Sequence, residues 1–494
     1  MLHLGSYCTQ LDHAVKHHDG PQLAHLVALD GKHAHQLLDW LARPDRGPAR
    51  ADRTLDQPSP SYAAQFRRTL PKEGPWADLA TNHVWSLVAL NPPINPSTGQ
   101  LHGQVDAVFA YQKQHEAVTA LYRWLIDARD LPTGWALPLL YVVCRDLRKT
   151  AEMADQQLLA NGHKATKLED ASRLLQKCFS CCLNDRASDM MASRKMGTFY
   201  LASLLFKTYF RLNSTALCKN IIRGINAADL PPLTAFPRAH RVTYSYYMAV
   251  FAFLREDYAQ AEKGFVEALG MTHRKMKRNI ELILDYLIPL LLVRGVLPSP
   301  KLLARSARHK TLYEPFVRAI RQGDFAGYER QLEVAQKRLM QRGTYLVVER
   351  AREGAVRGLL KKAWVLEGKP ARMSIDKFRA YYNAAQAVGL EEDVRLGRLR
   401  REAVPRRRKE GEIDGEEMEC LLANMIYKNL LKGYISHAHQ LVVLSKDKPF
   451  PWYPPYRNKG EAFARQRAER ETQERQRVVD VAAAAGTGAA PPAS

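Results

Sequence analysis

The stretch KCFSCCLNDR at residues 177–186 places Cys178, Cys181 and Cys182 close together. Cys178 and Cys181 have the two-residue gap of a zinc knuckle. A structural zinc takes four ligands, usually as two such pairs, and the sequence holds no second pair. Free cysteine is among the most buried residue types, so these thiols are expected on a buried helix face. His13 and His17 stand one helical turn apart, with His18, His25, His33 and His35 following. No acid or cysteine completes a ligand set around them, and they read as surface histidines. The chain has no Gly-Lys-Ser/Thr phosphate loop, no nucleophile elbow, and no helix pairing two histidines with a glutamate. These residues therefore predict no enzyme, no cofactor and no metal.

Positive charge is the chemistry the sequence does supply. Lysines and arginines outnumber acids by 73 to 51, a formal +22, and an excess of this size attracts polyanions at long range. Eight of these cations fall between residues 395 and 409 against one acid, Glu402. The cluster Arg406, Arg407, Arg408 and Lys409 fits an import signal or a phosphate contact. A second cluster, THRKMKR at 272–278, reads as a solvated turn. Seven cysteines, an odd number scattered through apolar sequence, suit reduced thiols better than a disulfide framework. The first twenty residues lack an apolar signal-peptide core. The longest greasy run, LILDYLIPLLLV at 282–293, contains Asp285 and is too short to span a bilayer. A soluble intracellular protein with no membrane partner is expected.

The elements that must carry these charges are nearly all helical. Leu11, Val15, Leu23, Leu26, Val27, Leu37 and Leu38 mark N-terminal helices over 1–41. Residues 42–100, with Pro-, Arg- and Asp-rich sequence at one end and NPPINPSTGQ at the other, read as a mobile linker region. From 101 to 343 a helix-break-helix plan repeats, with breaks at Asn213, Asp257, Gly295 and Gly323. Their spacings of about 44, 38 and 28 residues surround, without matching, the 34-residue tetratricopeptide period. Small residues such as Ala261 and Ala268 let paired helices lie close, while Tyr258 and Phe265 fill the groove between pairs. Neither helix of a pair can bury its apolar face alone, and stacking hides it. The result is a TPR-like α-solenoid.

Residues 344–455 read as helix, strand, helix, helix, strand, strand, the order of a winged helix. Ser374 or Asp376 is placed to cap its second helix, and Gly389 to end it. The basic insertion lies at 391–412, and a charged, low-complexity tail occupies 456–494. The fold class is thus all-α with a small β-hairpin. On the helix at 414–430, a turn of about 100° per residue puts Met418, Leu421, Leu422, Met425 and Ile426 toward the core. The opposite stripe is Glu416, Cys420, Ala423, Asn424, Tyr427 and Leu431. It carries no cation, whereas a helix reading a DNA groove would carry several. Tyr427 and Leu431, with the apolar strand Leu441, Val442, Val443 and Leu444, are therefore expected to bind a protein partner. Lys428, Lys432, Lys446 and Lys448, together with the insertion, form a rim suited to phosphate contact without base reading.

Helical repeats running into a C-terminal winged helix resemble the PCI domain, named for proteasome lid, COP-nine signalosome and initiation factor. The chain is similar to one branch in detail, that of the transcription-and-export complex PCI subunit and the signalosome subunit-twelve-like proteins. The matching segments are CLNDR at 182–186, LLFKTYFRLNSTALCKNIIRGI at 204–225, YLIPLLLVRGVLPS at 286–299, AIRQGDF at 319–325 and the run at 419–451. They lie within residues 100–455, about seven tenths of the chain. The arginine-rich insertion and the long charged tail depart from the branch. The resemblance implies a noncatalytic scaffold subunit of a nuclear complex, binding RNA or DNA without strong sequence preference in transcription-coupled mRNA export. It implies as partners a larger PCI-like scaffold protein and a small acidic disordered subunit, and the nucleus as compartment, with the cytoplasm second. The alternative it leaves is a COP-nine signalosome-like subunit regulating cullin-type ubiquitin ligases or splicing.

Overall fold

The computed structural model describes residues 4–41, 60–91, 105–128, 132–187, 192–395 and 412–451. The chain divides into two compact units, Met1–Tyr247 and Met248–Ser494. No helix among the described residues is long and apolar enough to cross a membrane.

The first unit is helical throughout its described residues. Its elements are α1 (Leu4–Lys16), α2 (Gly20–Leu26), α3 (Lys32–Leu41), α4 (Pro60–Thr69), α5 (Trp76–Leu90), α6 (Ala107–Asp127), α7 (Leu137–Ala160), α8 (Lys167–Leu183), α9 (Thr198–Arg211) and α10 (Cys218–Ala227), followed by α11 (Arg238–Leu254). Neighbours in sequence are neighbours in space: α5 packs on α6, α6 on α7, α7 on α8 and α8 on α9. That is the nearest-neighbour stacking of a solenoid. The N-terminal helices are part of this stack, because α2 packs on α7. The buried Asp146 of α7 accepts a hydrogen bond from the Leu29 N–H at 3.0 Å.

Residues 60–91 correct the linker reading of 42–100. They form α4 and α5, with Phe66, Trp76, Leu79, Val84 and Leu87 buried. Trp76 meets Trp124 and Trp135 with ring centroids 5.1 and 5.9 Å away. Pro75, which suggests a break, stands at the start of α5, where a missing N–H leaves no helical bond unmade. Residues 42–59 and 92–104 lie outside the described residues, as do 452–494 and most of the basic insertion.

The cysteines behave as expected, with Cys178 and Cys182 fully buried on α8 and Cys181 half-buried. The histidines do so with one exception. His13, His17, His18, His25 and His35 are exposed, but His33 is buried, its Nε2 lying 3.4 Å from Nε2 of the buried His83. The Tyr7 ring stacks near both. The CLNDR segment closes on a buried ion pair: Arg194 donates to Asp185 at 2.6 and 3.0 Å, and the Ser193 hydroxyl donates at 2.7 Å. Burial pushes the Asp185 carboxyl up, but these hydrogen bonds outweigh it and hold it below the usual carboxylate range.

The second unit continues with α12 (Tyr258–Met271), α13 (Lys277–Val293), α14 (Pro300–Leu303), α15 (Ala307–Gln322), α16 (Phe325–Gln341), α17 (Tyr345–Arg350) and α18 (Arg352–Leu366). Ala261, Phe265 and Ala268 of α12 are fully buried, and the Phe265 ring stacks on Tyr286 at 5.5 Å. All four repeat breaks fall where helices end, with left-handed backbone at Asn213, Glu256, Gly295 and Gly323. At Gly323 the reason for glycine is double. Its φ is 66°, and an added Cβ would come 2.6 Å from the Leu359 nitrogen of α18. The turn between α15 and α16 thus rests directly on the backbone of the helix that supports the C-terminal module.

Candidate docking and nucleic-acid interface

After α18 come β1 (Arg372–Ser374), α19 (Ile375–Arg395), α20 (Gly415–Tyr427), β2 (Gly433–Ser436) and β3 (Leu441–Leu444). Local chemistry fixes their starts. The Ser374 hydroxyl accepts from the Lys377 N–H at 3.3 Å, and Asp414 caps α20 through a capping box with Glu417. α19 runs past Gly389 to Arg395, so that glycine does not end it.

The module is fastened to the helices before it. Phe325 of α16 stacks on Tyr382 of α19 at 4.3 Å, and burial pushes the Tyr382 hydroxyl up to about 12. Arg357 of α18 donates to the carbonyls of Phe450 and Pro451 at 2.9 and 2.6 Å, while Phe450 packs on Trp364.

The three strands pair antiparallel in the order β1-β3-β2. β3, the apolar strand expected to bind a protein partner, is the central strand, so its backbone is already paired on both sides. The edges belong to β1 and β2, and no further strand pairs with either among the described residues. Side chains alternate along β3 as a strand requires. Val442 and Leu444 are buried, while Leu441 and Val443 are half-buried on the outer face. Val442 and Leu444 are therefore core residues here, which corrects their assignment as partner contacts.

Leu431 is a second correction. It is buried because α20 ends at Tyr427 and Asn429 takes a left-handed conformation, turning the chain inward before the helical stripe can reach 431. The rest of that stripe lies as its helical geometry predicts. Glu416, Cys420, Ala423, Asn424 and Tyr427 are exposed, Tyr427 at 76%, and Met418, Leu422 and Met425 face the core.

The lysines separate into two groups. Lys428 pairs with Glu353 of α18. Lys432, Lys446 and Lys448 are exposed and make no ion pair among the described residues. Two backbone bonds gather them: the Lys432 N–H donates to the Pro449 carbonyl at 2.7 Å, and the Ser445 N–H donates to the Lys432 carbonyl at 2.9 Å. One corner of the sheet therefore holds three cations, with Asp447 the only acid from 432 to 448. Arg406, Arg407, Arg408 and Lys409 lie outside the described residues.

A family model described as PCI domain matches residues 408–446, which takes in α20, β2 and β3. A protein of Mycosarcoma maydis named Protein CSN12 homolog is 36% identical over 407 residues, covering 76% of this chain and 84% of that protein. The chain belongs to the PCI family, in the CSN12-like branch. Enhanced ethylene response protein 5 of Arabidopsis thaliana is similar at 32% over 349 residues, 70% of this chain and 76% of its own. PCI domain-containing protein 2 of Xenopus laevis is 27% identical over 450 residues, 91% and 97% of the two chains.

The fold of this PCI protein is the all-α solenoid with a winged helix that the sequence indicates. Sequence reasoning overlooked two exposed residues of the winged helix. Tyr434 on β2 and Arg372 on β1 both stand opposite Val443 in the sheet register, so the three share the outer face. The signal available was the alternation of GYIS against LVVL, which is legible once β3 is known to lie between the other strands.

Proposed function

We propose that this PCI protein is a noncatalytic scaffold subunit of a nuclear multiprotein complex acting in transcription-coupled mRNA export. Its winged helix joins a larger PCI-like protein and binds RNA or DNA with little sequence preference. The observation that carries the reading is the division of labour within one small module. The outer stripe of α20 holds no lysine or arginine and ends in the exposed Tyr427, which suits a protein neighbour. The open edge of β2 can accept a strand from the same neighbour. The cations collect at the corner formed by Lys432, Lys446 and Lys448, a placement that meets phosphates without reading bases. A net +22 also favours a small acidic disordered subunit as a further partner.

The test is oligonucleotide binding by the full-length protein as salt is varied. Replacing Lys432, Lys446 and Lys448 by Gln is expected to flatten the slope of log affinity against log salt by up to about 0.7 to 0.9 per lost contact. An unchanged slope removes this corner from the binding surface. Co-purification of the larger PCI partner from native cells separates the export reading from its rival. A partner set of signalosome subunits would favour regulation of cullin-type ligases or splicing, which rests on the CSN12 names of several relatives.

A further inference from the structure

The outer face of the winged-helix sheet is a small platform with an aromatic ring and a cationic margin. Tyr434 is 64% exposed, although it sits in a strand whose neighbour is fully paired. Among the described residues its ring meets no other ring and its hydroxyl makes no hydrogen bond. Beside it, in register, lies Val443, and one step along the face lies Leu441, both half-buried and both aliphatic. Arg372 closes the row on the far strand, exposed and without an ion pair among the described residues. Strands lie about 4.8 Å apart, so Tyr434 and Arg372 on the two outer strands stand roughly 10 Å from one another. The end of the sheet nearest Tyr434 is the end that carries Lys432, Lys446 and Lys448, since Gly433 pairs with Leu444.

We propose that this face binds single-stranded nucleic acid, with one base stacked on the Tyr434 ring and the strand's phosphates held by Arg372 and the lysine corner. The inference rests on the nucleic-acid reading above and adds to it the kind of strand preferred. An exposed aromatic ring on a sheet, over an aliphatic floor and inside a basic margin, offers a π-face to a base of any identity. Bases in a duplex are already stacked on one another and cannot use such a ring. A docked protein would call for a broader apolar patch than two half-buried aliphatics, and in the run from 432 to 448 three lysines stand against one acid, Asp447. Arg372 can serve either by pairing with a phosphate or by stacking its guanidinium on a neighbouring base. Strong specificity for sequence is not expected, because a stacking ring accepts a base of any identity.

The experiment measures anisotropy of labelled oligouridylate, oligothymidylate and a mixed-sequence duplex with the full-length protein. Tyr434→Ala is expected to lower single-strand affinity about 5- to 150-fold, the range that removing one stacked aromatic produces. Duplex affinity and the salt slope stay as in the parent. Tyr434→Phe keeps the ring and is expected to retain single-strand binding, and unchanged melting of both variants shows that they are folded. Equal losses for single strand and duplex, or no loss for either, overturn the stacking role. If the lysine variants still flatten the salt slope in that case, the broader nucleic-acid reading survives alone. If the parent binds no oligonucleotide, both fall. If Tyr434→Ala releases a PCI partner while leaving oligonucleotide affinity intact, the face belongs to protein docking and the proposal is wrong.

Discussion

Replacing Val442 by aspartate sets a carboxylate at the centre of the winged-helix core, whereas the same change one residue later leaves it on the surface. Val442 is fully buried, with Met373 and Ile435 as its cross-strand partners on the inner face. Its removal forfeits about 2 kcal/mol of apolar burial, and an unpaired buried charge adds several kcal/mol more. Together these approach the roughly 5–15 kcal/mol that holds a domain folded. Val443 is half-buried between Tyr434 and Arg372. Its loss forfeits about 1 kcal/mol, and attraction between the new carboxylate and Arg372 offsets about 0.2 to 1 kcal/mol of that. For a unit of this size, each kcal/mol shifts the melting temperature by about 2–4 °C. Val442→Asp is therefore expected to lower the transition of the second unit by about 10 °C or more, and Val443→Asp by less than about 4 °C. Thermal melting followed by circular dichroism of the two full-length variants gives the comparison. Equal melting of the two, or a larger loss for Val443→Asp, would refute the register on which the outer face is built.

Gly323→Ala forces a left-handed conformation on alanine and drives its Cβ into the backbone of Leu359. A loss of about 2–4 kcal/mol is expected, read as a lower denaturant midpoint, while Gly343→Ala, with φ 67° and open space around it, is expected to lose only about 1–2 kcal/mol. The His33 and His83 pair gives a pH dependence. Burial and the charge of neighbouring histidines depress His33 to about 4 and His83 to about 3. Both folded values lie below the unfolded value of about 6.5, so the stability is fully present above pH 6.5 and is lost as pH falls from there toward 4. Each histidine contributes up to about 1.4 kcal/mol per pH unit within that window. His83→Phe is expected to make the fall between pH 6 and 4.5 shallower by about one proton's slope, and an unaltered pH profile of melting would show that the pair does not stay neutral in the fold.

Much of this protein is determined by local sequence. The four repeat breaks are written in Asn213, Asp257, Gly295 and Gly323, because left-handed backbone and helix N-caps select particular residues locally. The two faces of α20 follow from helical periodicity alone, and the alternation of β3 follows from strand geometry. What the tertiary structure decided is which neighbour each face meets. α4 and α5 carry a linker-like share of proline and arginine around them, yet Phe66, Trp76 and Leu87 are buried there, because burial depends on the partners and not on composition. His33 resembles its exposed neighbours in sequence and is buried only because α5 brings His83 to it from fifty residues away. Leu431 turns inward because Asn429 ends the helix early, and β3 has no free edge because β1 pairs on its far side. That last placement decides the candidate site. Strand order is a long-range choice, with β1 about seventy residues before β3, and only the closed sheet puts Arg372 and Tyr434 on either side of Val443.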